Sequence, residues 1–178
     1  QTTVTAGILE LGKTAGVNAI AGPLVIGDGN ASDMVRLVSS DQIPAASTVT
    51  INGGTLDLNG FNETLGGLAN NGGTVQTGTG VLTLAGDVST SVNGALAPKF
   101  NGNLNLGGAV RTFTVNGAAA TPVDLEINAV ISNGTFVKDG AGTLLLSSPT
   151  GNTFAGGIAV TVGELVDYTV VLTNSGNV

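Results

Sequence analysis

An asparagine–glycine pair occurs seven times in the chain, at Asn52, Asn59, Asn71, Asn93, Asn101, Asn116 and Asn133. Each pair suits a tight turn in which the backbone takes positive φ. Between such turns there is room only for short extended strings, and their apolar residues alternate with polar ones. Thr48 to Ile51 puts Val49 and Ile51 on one face. Thr55 to Leu58 points Leu56 and Leu58 inward and Asp57 outward. Leu104 and Leu106 repeat the pattern, as do Phe113 and Val115. In the segment from Val123 to Ile127, the residues Val123, Leu125 and Ile127 face the core, and Asp124 and Glu126 face water.

The composition agrees with an all-β chain. Thr and Val favour strands, and 29 glycines favour turns. An apolar fraction of 42% is enough to drive collapse. With no cysteine there is no disulfide framework and no thiolate site. With no histidine the commonest general base and transition-metal ligand are missing. A net charge of -7 argues against nucleic acid as a partner. No apolar run reaches membrane-spanning length, so an integral membrane domain is not expected.

Similar units begin at Gly53, Gly78, Asn101 and Gly140. Their separations are one or two coils of about 20 to 25 residues. A single coil of that size cannot bury its own apolar face, but stacked coils can. The expected fold is therefore a single parallel β-solenoid domain over residues 1–178, with an antiparallel β-sandwich as the alternative. Helical turns are expected only at Ser39 to Ala46 and Glu63 to Ala69. Segments 1–11 and 167–178 read as terminal strands that cap the solenoid or join subunits.

The segment Asn133 to Val166 resembles the autotransporter-associated β-strand repeat, also called the passenger-associated transport repeat. The matching parts are Gly140 to Leu146, Asn152 to Gly157 and Gly163 to Leu165, in order. Phe154 stands where that repeat often has tyrosine. The upstream stretch Thr48 to Val75 is similar to sequence that commonly precedes such repeats. The resemblance runs from Val35 to Leu165. It implies a right-handed, single-stranded parallel β-helix, outside the cell or on its surface, of the kind used in bacterial passenger stalks, adhesins and surface fibres. The end of the chain, from Val166 to Val178, departs from the repeat and reads as a closing or exchanging strand.

Candidate sites are few. Asp28, Asn30 and Asp33 lie close in sequence and offer oxygens to a hard cation such as calcium, without the closing acid of an EF-hand. The competing reading is a solvated turn. Asp57 and Glu63 read as surface charges, and Arg36, Arg111, Lys13, Lys99 and Lys138 as isolated solubilising or edge-blocking charges. A carbohydrate-active β-helix enzyme needs clustered carboxylates in a groove, and the twelve acids are thinly spread. The chain is accordingly expected to have no catalytic residues and no required cofactor.

The leading expectation is a structural protein of an extracellular filament. Its copies would associate end to end or exchange terminal strands, because a solenoid end exposes unpaired backbone. The alternative is an adhesin passenger fragment that binds a surface glycan or protein. Its receptor patch would lie on the insertion Ser89 to Pro98 or the loop Gly27 to Asp33.

Overall fold

The computed structural model describes residues 1–118, 121–154 and 156–161. In chain order its strands are β1 (Thr2–Val4), β2 (Ile8–Leu11), β3 (Leu24–Ile26), β4 (Met34–Leu37), β5 (Thr48–Asn52), β6 (Thr55–Asp57), β7 (Glu63–Leu65) and β8 (Gly67–Asn71), followed by β9 (Thr74–Gln76), β10 (Leu82–Leu84), β11 (Val88–Ser91), β12 (Lys99–Val115), β13 (Leu125–Asp139), β14 (Leu144–Leu146) and β15 (Ile158–Val160). They form one 15-stranded sheet. Each strand-to-strand ladder in it is parallel, which rules out the antiparallel sandwich and gives a parallel β-solenoid.

The solenoid has three faces. One stacks β2, β4, β6 and β9 onto the start of β12, then β13 and β14. A second stacks β7 and β10 onto the middle of β12. The third stacks β1, β3, β5, β8 and β11 onto the end of β12, then the end of β13 and β15. One coil takes 19 residues from Asn52 to Asn71 and 25 from Asp87 to Thr112. The extra residues are accommodated at corners, and between Asn105 and Ala109 the register of β12 against β13 shifts.

Period-two alternation sends every second side chain into the prism. Leu9, Val35, Leu56, Val75, Phe100 and Ile127 form one inward row. Leu24, Val49, Leu68, Val88 and Phe113 form another. Apart from the half-buried Leu9 in the first coil, these residues are at most 2% exposed. Each contributes about 1.5–3 kcal/mol by leaving water. The rings of Phe113 and Phe136 stack, with centroids 4.4 Å apart, and Phe100 meets Phe113 edge to face at 6.2 Å.

The asparagine–glycine pairs do turn the chain, but they turn it at corners of a coil and not in hairpins between antiparallel strands. Gly72 shows why glycine is needed. Its φ is 71°, and a Cβ there would lie 2.6 Å from Asn93 Cβ and 2.8 Å from the Leu96 carbonyl oxygen in the next coil. Asn101-Gly102 and Asn133-Gly134 differ from the expectation, since they lie within β12 and β13, which bend through corners without ending.

Two further expectations are corrected. Residues 63–69 contain strands β7 and β8, with no helical turn. Residues 39–46 are bends and turns, closed by the Ser47 N–H donating to the Pro44 carbonyl at 2.7 Å. In residues 63–69 the cross-coil ladder satisfies more backbone groups than one isolated turn of helix does. The segment 167–178, read from sequence as a terminal strand, lies outside the described residues.

Candidate functional site

Buried polar groups in this fold act as fasteners between coils. Glu63 heads the inward row that continues through Leu82, Leu104 and Ile131, so it is 1% exposed and not a surface charge. Its Oε2 accepts the backbone N–H groups of Gln42 and Ile43 from the preceding coil, at 2.8 and 3.1 Å. Its Oε1 accepts the N–H of Thr64 at 3.1 Å. Burial pushes the carboxyl pKa up, and the three N–H donors oppose that shift only in part.

Asp124 also departs from its expected place. It is 4% exposed, with Oδ1 accepting from the Ala118 N–H and the Thr121 hydroxyl at 2.8 and 2.9 Å. Its Oδ2 accepts the Thr143 N–H at 2.8 Å. The alternation fails here because the strand β13 starts only at Leu125, so Asp124 belongs to the turn that feeds it.

The basic residues are less isolated than their spacing in sequence suggests. Arg36 Nε donates to Asp57 Oδ2 at 3.0 Å, and Arg36 Nη1 lies 3.9 Å from Glu10 Oε1. Glu10, Arg36 and Asp57 are direct register partners on three successive coils. Lys99 Nζ lies 3.2 Å from Glu126 Oε2, again between register partners. Arg111 Nε donates to the carbonyls of Leu84 and Leu106 at 3.0 and 3.1 Å. Lys138 is 2% exposed beside Phe113 in the inward row, and its Nζ donates to the Gly140 carbonyl at 2.7 Å. Desolvation lowers its pKa.

The three calcium candidates divide. Asp28 and Asn30 are exposed and form a closed local pair, with the Asn30 side-chain amide donating to Asp28 Oδ1 at 2.7 Å. Asp33 is 2% exposed, and its Oδ2 has no hydrogen-bond partner. Among the described residues, no group of three or more His, Cys, Asp or Glu side chains is arranged to hold a metal ion.

One departure from the smooth prism is the segment between Ser91 and Lys99. It folds into a small loop closed by reciprocal backbone hydrogen bonds between Asn93 and Leu96, at 3.0 and 2.9 Å. The Asn93 amide also donates to the Gly29 carbonyl at 3.2 Å, which ties this loop to the loop containing Asp28. The tip residue Leu96 is 40% exposed. At the same corner, one coil further on, lie Thr121, Pro122 and Val123, and both segments border a groove of about 510 Å³. Thr55, Thr74, Lys99, Glu126 and Leu145 line it, one residue from each of five successive coils. The insertion singled out from sequence thus forms one wall. Thr121 to Val123 and the floor went unrecognised, because only the coil register shows that residues so far apart in sequence are neighbours.

No helix among the described residues is long and apolar enough to cross a membrane. The chain is similar over 83 residues, at 37% identity, to an adhesin autotransporter, BmaC, of Brucella suis biovar 1 (strain 1330). The matched stretch covers 47% of this chain and 2% of that protein. No protein-family model matches the chain, and no solved structure matches it.

Proposed function

We propose that the chain is a passenger segment of a bacterial surface adhesin: a stiff extracellular rod that carries binding loops on its corners. The similarity to part of a bacterial adhesin autotransporter is the observation that carries this reading. The architecture supports it, because continuous parallel ladders give a rod and the loop at 92–98 stands out from one of its corners. In this reading the chain holds a partner and performs no catalysis, and it needs neither cofactor nor metal. Fluorescently labelled protein incubated with mammalian cell layers tests the proposal. Saturable retention, competed by unlabelled protein, is expected. Retention no greater than that of a loop-free solenoid of similar charge would overturn it.

One observation favours the filament as a second reading. Among the described residues, β1 pairs only with β3 and β2 only with β4, so both have an outer edge with no strand against it. Beside that edge lies a cavity of about 590 Å³ lined by Leu9, Leu11, Ala19, Ile20 and Val38. A strand from a second copy would satisfy the backbone and cover the apolar end. Negative-stain electron microscopy across a concentration series tests this reading. Long fibres support it, and dispersed short rods at every concentration sink it.

A further inference from the structure

The floor of the groove is more specific than its size. Thr55, Thr74, Lys99, Glu126 and Leu145 are consecutive register partners, so they are spaced by one strand separation, about 4.8 Å, and the row runs about 19 Å along the axis. Two hydroxyl groups are followed by an ammonium and a carboxylate that touch at 3.2 Å. Ser147 Oγ donates to the other oxygen of Glu126 at 2.8 Å, and this hydrogen bond holds the Glu126 carboxyl below the usual range. Both members of the pair are accessible, with side-chain exposures of 51% and 27%. The corner beside the row is aliphatic, with Leu96 and Ala97 from one coil and Pro122 and Val123 from the next.

The same register limits what can bind. At the groove floor β9 is paired on both sides, with β6 and β12, and β12 is paired with β9 and β13. Among the described residues β6 and β13 are likewise paired on both sides, so from Thr55 to Glu126 an extended peptide cannot add as a strand. Recognition has to come from the side chains. A row of hydroxyl, ammonium and carboxylate groups can donate to and accept from ligand hydroxyls at every step, while aliphatic walls cover C–H faces.

We propose that this groove is a saccharide site that holds a linear oligosaccharide along the solenoid axis. Lys99 donates to ligand hydroxyls and Glu126 accepts from them. Thr55 and Thr74 extend the contact to neighbouring sugar units, and Leu96 closes the wall. The inference takes the adhesin reading as its premise and gives that reading a ligand class and an address.

The test is an array of linear oligosaccharides of glucose, N-acetylglucosamine and galacturonic acid, probed with the 178-residue protein and followed by calorimetric titration of any hit. Lys99→Met and Leu96→Asp alter the floor and the wall, and Val110→Asp alters an exposed position outside the groove lining. Thermal unfolding confirms that each variant is folded. The expected result is binding by the wild type, a loss of about tenfold or more in each groove variant, and no change in the control. Saccharide binding that survives both groove variants overturns the site. Absence of any saccharide binding, with cell retention preserved, overturns the ligand class and leaves the adhesin reading standing. Loss of both sinks the adhesin reading as well.

Discussion

Glu63 reaches back one coil to Gln42, accepting its backbone N–H at 2.8 Å and that of Ile43 with the same oxygen at 3.1 Å. A carboxylate at the head of an apolar row is costly unless it satisfies groups that would otherwise be orphaned. Glu63→Ala should therefore destabilise the protein by about 2–3 kcal/mol, read as a lower denaturant midpoint at unchanged slope. The pH dependence has a definite sign. Because burial raises the folded-state pKa above the ordinary 4.5, the stability from this group is fully present below pH 4.5. It is lost as pH rises through the folded-state pKa. The stability difference between wild type and Glu63→Gln should shift against the wild type across that window, and a flat difference would contradict the assignment.

The row Glu10–Arg36–Asp57 is uneven. Arg36 and Asp57 meet at 3.0 Å with Asp57 only 14% exposed, whereas Glu10 is 58% exposed and 3.9 Å away. A double-mutant cycle on Arg36 and Asp57 should give a coupling of about 1 kcal/mol, and one on Glu10 and Arg36 a value near zero. Equal couplings would show that the crowding on Asp57 is irrelevant.

Phe136 packs on Phe113 diagonally, since the register partner of Phe113 is Lys138. Phe136→Ala removes a fully buried ring and should cost about 3–5 kcal/mol. A loss below about 1 kcal/mol, the scale of an exposed change, would mean that the last coils contribute little to global unfolding.

Glycine substitutions should separate corners from free surface. Gly72→Ala places a methyl group against Asn93 and Leu96 at positive φ and should destabilise by more than about 1 kcal/mol. At Gly151 an added Cβ meets nothing within 4 Å, and Gly151→Ala should be neutral within about 0.5 kcal/mol. Thermal unfolding of the two variants checks the contrast.

Asparagine–glycine pairs deamidate when the glycine nitrogen is free to attack the asparagine side chain. The Gly72 N–H is held by the Ser91 carbonyl at 2.9 Å, and the Asn71 side chain is held by Asn52 and Ser91 at 2.9 and 2.7 Å. Asn116 and Gly117 are both exposed after the end of β12. Peptide mass mapping of aged protein should find deamidation at Asn116 well before Asn71. The reverse order would mean that the corner at Asn71 opens more readily than its hydrogen bonds imply.

The inward positions were legible wherever strict alternation held. Leu56 with Leu58, Leu104 with Leu106, and Phe113 with Val115 are all buried as the pattern required. Glu63 was not legible. A glutamate in an apolar row looks like an exposed charge until its partners, 20 and 21 residues earlier, are brought beside it by the coil length. Asp57 faces outward as the alternation required, but its partner Arg36, 21 residues away, was not legible. One wall of the groove was visible as an insertion. Its floor could not be seen, because it is a property of register between five coils and not of any one stretch of chain.

The unequal coil lengths carry a last consequence. Between Ser91 and Lys99 the chain adds a loop, yet β11 and β12 keep their places in the ladder on either side of it. Each corner is thus an address at a fixed height along a graduated shaft. A different peptide could be written into the position now held by Ala95 to Ala97 while the marks above and below stay where they are. A lineage, or an engineer, can revise what the shaft displays one height at a time.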